Sequence, residues 1–129
     1  MGKYVTVQFD ANEEYVHLRY HQVALKTEAD VAEWKAEVER ELRFLDGKRV
    51  DFIVDLAEMD VKPSVVAAYD EARLDLAAKT ARRAYRYSGT RLLRTKILTS
   101  STIHRAQPNV HATFEEALAA MRAERAKSR

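Results

Sequence analysis

The chain contains no cysteine, three glycines, two prolines and one tryptophan in 129 residues. Without thiols there is no disulfide scaffold, no thiolate nucleophile and no cysteine-ligated zinc. Three glycines leave little material for a phosphate-cradling loop, and neither a P-loop, a dinucleotide fingerprint nor a G-x-S-x-G elbow occurs. No apolar run is long enough to span a bilayer and no secretory leader opens the chain, which points to the cytoplasm and away from membrane insertion. The first six residues fit an N-myristoylation pattern in form, but Tyr4, Val5 and Thr6 read as the start of a strand.

What the chain does have is 47% hydrophobic and 33% charged residues, the balance of an ordinary globular α/β protein. Its length suits one domain over residues 1–129, with a core of about 3–122 and a charged, fraying tail at 123–129. The formal charge of +2 hides an uneven distribution. Residues 1–75 carry a net −7, whereas residues 76–114 hold eight cations and no acid. Those cations are Lys79, Arg82, Arg83, Arg86, Arg91, Arg94, Lys96 and Arg105. They are expected either to form a positive surface for anionic ligands or acidic partners, or to complement the acidic first half.

Hydrophobic periodicity predicts alternating strands and helices. Residues 4–9 and 15–23 alternate around the turn-forming stretch 10–14, as in a hairpin. On its second strand His17, Arg19 and His21 share the outer face; along a strand the two histidines lie roughly 13 Å apart, too far to chelate one metal, and they are expected to be exposed. Thr27 offers a helix cap with Glu28 and Asp30 behind it, and Val31, Trp34, Val38, Leu42 and Leu45 recur at helical spacing up to Asp46 and Gly47. Trp34 belongs to that apolar stripe and is expected in the core. Residues 49–56 form a nearly uninterrupted apolar strand, as for a strand buried on both faces. Pro63 and Ser64 open a helix carrying Val65, Val66, Tyr69, Ala72 and Leu76. A strand over 83–87, a short helix with Leu92, Leu93, Ile97 and Leu98, and a short strand over 109–112 follow. Thr113 and Glu116 then supply a capping box for a last helix bearing Phe114, Ala117, Leu118 and Met121.

The order is β-β-α-β-α-β-α-β-α, in a mixed sheet with helices mainly on one face. This order, the hairpin, the Val54-Asp55-Leu56 strand end, the Met59-Asp60 loop before a helix and the closing run from Val110 to Leu118 resemble a STAS domain. That module is shared by bacterial anti-sigma factor antagonists and the cytoplasmic ends of sulphate transporters. The resemblance covers roughly residues 3–122 and implies a non-enzymatic signalling module whose partner is a regulator or kinase-like protein. In the family's switch proteins a serine at the start of the second helix is phosphorylated. Aligning Met59 and Asp60 with that motif puts Val61 and Lys62 at the serine positions and Pro63 at the glycine, with Ser64 beyond them. The resemblance therefore implies a partner-binding loop at Asp60, Val61, Lys62 and Ser64 without the usual switch.

Lys62 also reverses the local charge logic, since a cation beside a helix N-terminus opposes the dipole by about 0.3–1 kcal/mol. Asp60, Glu58, an external anion or an acidic partner would compensate. The runner-up reading is nucleic-acid or anion binding by the basic segment, where Tyr85 and Tyr87 interleave with Arg82, Arg83 and Arg86, and Arg91, Arg94 and Lys96 follow. A small lipid-like ligand is a weaker alternative, with no apolar surplus to support it. A hairpin edge is open to pairing with a second copy. Ser64, Ser100, Ser101, His104 and His111 supply hydrolase residue types without hydrolase spacing, so no catalytic residue, metal site or cofactor is assigned.

Overall fold

The computed structural model describes residues 4–88 and 110–127. The expected helix over 92–98, together with Arg91, Arg94, Lys96, Ser100, Ser101, His104 and Arg105, lies outside the described residues. The architecture is α/β. Strands β1 (Val5–Asp10), β2 (Tyr15–Tyr20), β4 (Val50–Asp55), β6 (Ala81–Tyr87) and β7 (Val110–His111) form one sheet in the order β1-β2-β4-β6-β7. β1 and β2 are antiparallel, and every later pairing is parallel. A second, two-stranded parallel sheet joins β3 (Val23–Leu25) to β5 (Met59–Val61). Helices α1 (Glu28–Glu41), α2 (Val66–Thr80) and α3 (Phe114–Lys127) complete the described residues.

Local chemistry accounts for each element. Asp10 Oδ1 accepts from the Glu13 amide and Glu14 takes a φ of 53°, closing the hairpin turn. Thr27 caps α1 in a reciprocal box with Asp30, whose carboxylate accepts from the Lys26 and Thr27 amides. At the other end Asp46 (φ 48°) and Gly47 (φ 83°) turn the chain after a 3-10 turn at Arg43–Leu45. Thr113 accepts from the Glu116 amide, while the Glu116 carboxylate reaches one residue further back than expected, to the Ala112 amide.

β4 is buried along its length and separates two cores. Val50, Phe52 and Val54 face α1 and α2, where Trp34 sits between Tyr20 and Tyr69 at ring-centroid distances of 5.9 and 5.4 Å. Ile53 faces α3 and packs with Tyr15, Tyr85, Tyr87, Ala117 and Met121. Two of the three described helices thus lie on one face and α3 covers the other. Register along β4 and β6 shifts between Val50 and Phe52, so that Val50 pairs with Ala81 but Phe52 with Ala84.

Two expectations are corrected. The second hairpin strand does not run through to Val23. It ends at Tyr20, Gln22 takes a φ of 50°, and the chain restarts as β3. Correspondingly, Met59 and Asp60 are not a loop but part of β5, where Met59 and Val61 are buried and Asp60 is exposed. Backbone bonds from Val23 to Glu58 (2.8 Å) and from Lys62 to Leu25 (2.9 Å) fasten this pair at both ends. Periodicity could not reveal strands of three residues.

The charged tail is the second correction, because α3 continues through Lys127. Arg125 is what holds it. Its Nε lies 2.8 Å from Oδ2 of Asp51, a carboxylate only 3% exposed on the α3 side of β4, and its Nη atoms donate to the backbone carbonyls of Glu13 and Glu14. Arg122 adds a bidentate pair with Glu13 at 2.9 Å. Leaving Asp51 without its main partner strands a buried charge, for which Arg82 at 3.5 Å compensates only in part. Arg125→Ala should therefore destabilise the fold by about 2–4 kcal/mol in urea denaturation. A loss below about 0.5 kcal/mol, typical of a surface substitution, would contradict this role.

Candidate functional site

The turn expected to bind a partner lies where β5 hands over to α2. Asp60 is exposed on β5, and Val61 points inward at 8% exposure, a core residue rather than a contact residue. Lys62, Pro63 and Ser64 are exposed. The backbone around them is pinned: the Lys62 amide donates to Leu25, and the Lys62 carbonyl accepts from Val65 at 2.9 Å, forming the 3-10 turn Pro63–Val65. Pro63 suits that first position because its missing N–H has no acceptor to find there.

The start of α2 lacks the usual devices. Neither the 3-10 turn nor the helix has a side-chain cap, and no acid stands in the first turn of either. Lys62 gains no intramolecular compensation. Among the described residues no carboxylate lies within 4.0 Å of its Nζ, so the expected pairing with Asp60 is not made. Glu58 is engaged elsewhere, accepting from the Gln22 amide at 3.1 Å. The turn therefore presents one cation, one acid and one hydroxyl on a fixed backbone.

A second polar group, missed in the sequence, gathers on the α3 side near the C-terminal ends of β2, β4 and β6. His17 is half-buried rather than exposed: its Nε2 shares a 2.7 Å hydrogen bond with Tyr87 Oη, and its ring lies 4.7 Å from that of Phe114. Arg19 Nε stands 3.9 Å from Asp55 Oδ2, and Asp55 Oδ1 accepts from the Ala57 amide. Burial, with Asp55 nearby, pushes the Tyr87 hydroxyl up to about 12. The available signal was β-strand alternation, which placed His17 on the outer face; that this face is covered by α3 could be read only from the tertiary structure. His21 is apart from this group and bonds through Nε2 to Thr6 Oγ1. Among the described residues no three His, Asp or Glu side chains are arranged to hold a metal ion.

Three of the four described cations of the basic segment are paired. Lys79 pairs with Asp75 at 2.9 Å and Glu39 at 3.9 Å, Arg82 with Asp51, and Arg83 with Glu124 at 3.6 Å. Tyr85 and Tyr87 are 0% and 8% exposed beneath α3 and offer no face for stacking a base. Arg86 is not a surface residue: it is 6% exposed and faces α2. Among the described residues no helix is long and apolar enough to cross a membrane. No protein-family model and no curated protein matches the chain.

Burial first, then the charge of Arg19, holds the His17 imidazole below its ordinary 6.5 against the weaker pull of Asp55. Between the two values the unfolded chain binds more protons than the folded one. The contribution of His17 to stability is therefore complete above 6.5 and declines as pH falls through 6.5 toward the lower folded-state midpoint. An NMR titration of the His17 ring should give a midpoint below 6.5, and a midpoint at or above that value would contradict the burial of the neutral ring.

Proposed function

We propose that the chain is a non-enzymatic interaction module of the cytoplasm, resembling an anti-sigma factor antagonist, which presents the 60–64 turn to a regulatory or kinase-like protein partner. The observation that carries this reading is the combination at Lys62: an exposed cation without a carboxylate partner among the described residues, held on a backbone pinned at both ends, beside an uncapped helix start. An acidic side chain from a partner would pair with Lys62. Asp60 and Ser64 flank that point and fix its orientation toward one partner rather than any anion. With Val61 buried and Lys62 and Pro63 following it, the turn works as a constitutive contact.

Lys62→Glu tests this reading by affinity capture from the native host. The substitution should reduce recovery of the captured partner several-fold while the circular dichroism spectrum stays unchanged. Undiminished capture by a folded Lys62→Glu protein would remove the turn from the mechanism.

Self-association is a second reading, favoured by one observation. β1 is one edge strand of the described sheet, and its Phe9 meets Phe44 edge-on at 5.8 Å, the two rings 41% and 51% exposed. If two copies pair through this edge, sedimentation should show a dimer that Phe9→Glu dissociates; a monomer at high concentration would exclude it.

A further inference from the structure

Two arginines are buried on the sheet face that carries α1 and α2. Arg73 lies on the inward stripe of α2 with Tyr69, Ala72 and Leu76, and Arg86 shares the inward side of β6 with Ala84; each is 6% exposed. The fold pushes Arg86 there, because Tyr85 and Tyr87 occupy the opposite side of the same strand under α3. Asp70 acts on both groups but pairs only with Arg73. Asp70 Oδ1 stands 3.5 Å from Arg73 Nη2, whereas Arg86 has neither a carboxylate within 4.0 Å nor a hydrogen-bond acceptor among the described residues. The hydroxyls of Tyr20 and Tyr69 are close enough to act on Arg86, but burial drives both upward and keeps them neutral. Burial, reinforced by the like charge of Arg73, pulls the Arg86 guanidinium down to about 10.

Both arginines open onto the same space. A cleft of about 280 Å³ lies between the C-terminal half of α2 and the start of β6, lined by Arg73, Leu74, Ala77, Ala81, Ala84 and Arg86, with Arg82 and Arg83 at the strand's first residues. It adjoins a smaller apolar pocket of about 40 Å³, bordered by Trp34, Phe52 and Leu56, which the same two arginines line. Three alanines along the cleft leave room where larger side chains would close it. A nearly buried cation without a partner is costly, and the planar fork of a guanidinium matches two oxygens of a phosphate or carboxylate.

We propose that the cleft between α2 and β6 is a binding site for the oxyanion head, phosphate or carboxylate, of a small molecule, with Arg86 as its principal contact and Arg73 beside it. The head group supplies a negative charge beside Arg86 that no carboxylate among the described residues provides within 4.0 Å. A cleft of this size beneath a helix takes a small molecule and excludes a duplex or a folded partner. The site is independent of the 60–64 turn, since no residue is common to both.

Arginine-labelled protein titrated with inorganic phosphate and, separately, with acetate, at ionic strength held constant with chloride, tests this directly. The Nε–H resonances of Arg86 and Arg73, assigned with Arg86→Lys and Arg73→Lys, should shift saturably while that of the exposed Arg122 does not. Response to phosphate alone assigns a phosphate head, and response to acetate assigns a carboxylate head. Arg86→Met should weaken the fitted affinity about tenfold or more and leave thermal stability without anion equal or higher. An Arg86 resonance that neither anion moves overturns the proposal, as does an Arg86→Met protein that titrates like the parent. The unmutated protein decides the first point even where Arg86→Met fails to fold.

Discussion

Strand β4 has protein on both of its faces, and the positions of the other elements follow from that constraint. A strand open to water on one side needs only one set of apolar residues, but Val50, Phe52, Ile53 and Val54 must all be covered. Covering Val50, Phe52 and Val54 places α1 and α2; covering Ile53 places α3. The buried acid of this strand, Asp51, falls on the α3 side and calls for a cation from that helix. Arg125 meets it and is itself held by carbonyls of the hairpin turn, so sheet, hairpin and last helix are locked by one guanidinium.

The same constraint explains which parts of the fold were legible in the sequence. Residues 49–56 announce a doubly covered strand because five of eight positions are apolar and Phe52, Ile53 and Val54 run without alternation, and the stripe containing Val31, Trp34 and Val38 announces a helix because its spacing persists for four turns. β3 and β5 carry no comparable signal. Three residues hold a single alternation, and Met59-Asp60-Val61 reads equally well as an acidic loop. Their pairing depends on a backbone break at Gln22, a residue with no side-chain signature for positive φ. The tail was misread for a related reason: Arg122 to Lys127 look solvated by composition, and only the buried acid 74 residues earlier in the chain gives Arg125 its structural role.

Of the four residues expected in one binding loop, Lys62 and Ser64 lie in the turn before α2, while Asp60 and Val61 belong to β5 and Val61 serves the core. The charge segregation was also visible, but its meaning was not. Local alternation assigns Arg86 to one side of β6 without saying that this side is the interior one. Arg73 was legible in principle, since it occupies the apolar stripe of α2 with Tyr69, Ala72 and Leu76; a charge on such a stripe is the signature of a buried group. Of the four described cations of the segment, Lys79 and Arg82 pair with acids of the first half and Arg83 pairs with Glu124 of α3. Among the described cations of the segment, Arg86 is the one without a paired acid.

The tether from α3 also sets an order of events. Asp51 is translated long before Arg125, and Glu13 and Glu14 earlier still, so a chain emerging from the ribosome must wait for α3 before the α3 face of β4 can close. Until then the hairpin and β4 carry an exposed apolar face around Ile53 and an acid without its main counter-charge. The α3 face closes only once Arg125 is present, which makes a chain cut before that residue distinguishable by its surface from one that contains it.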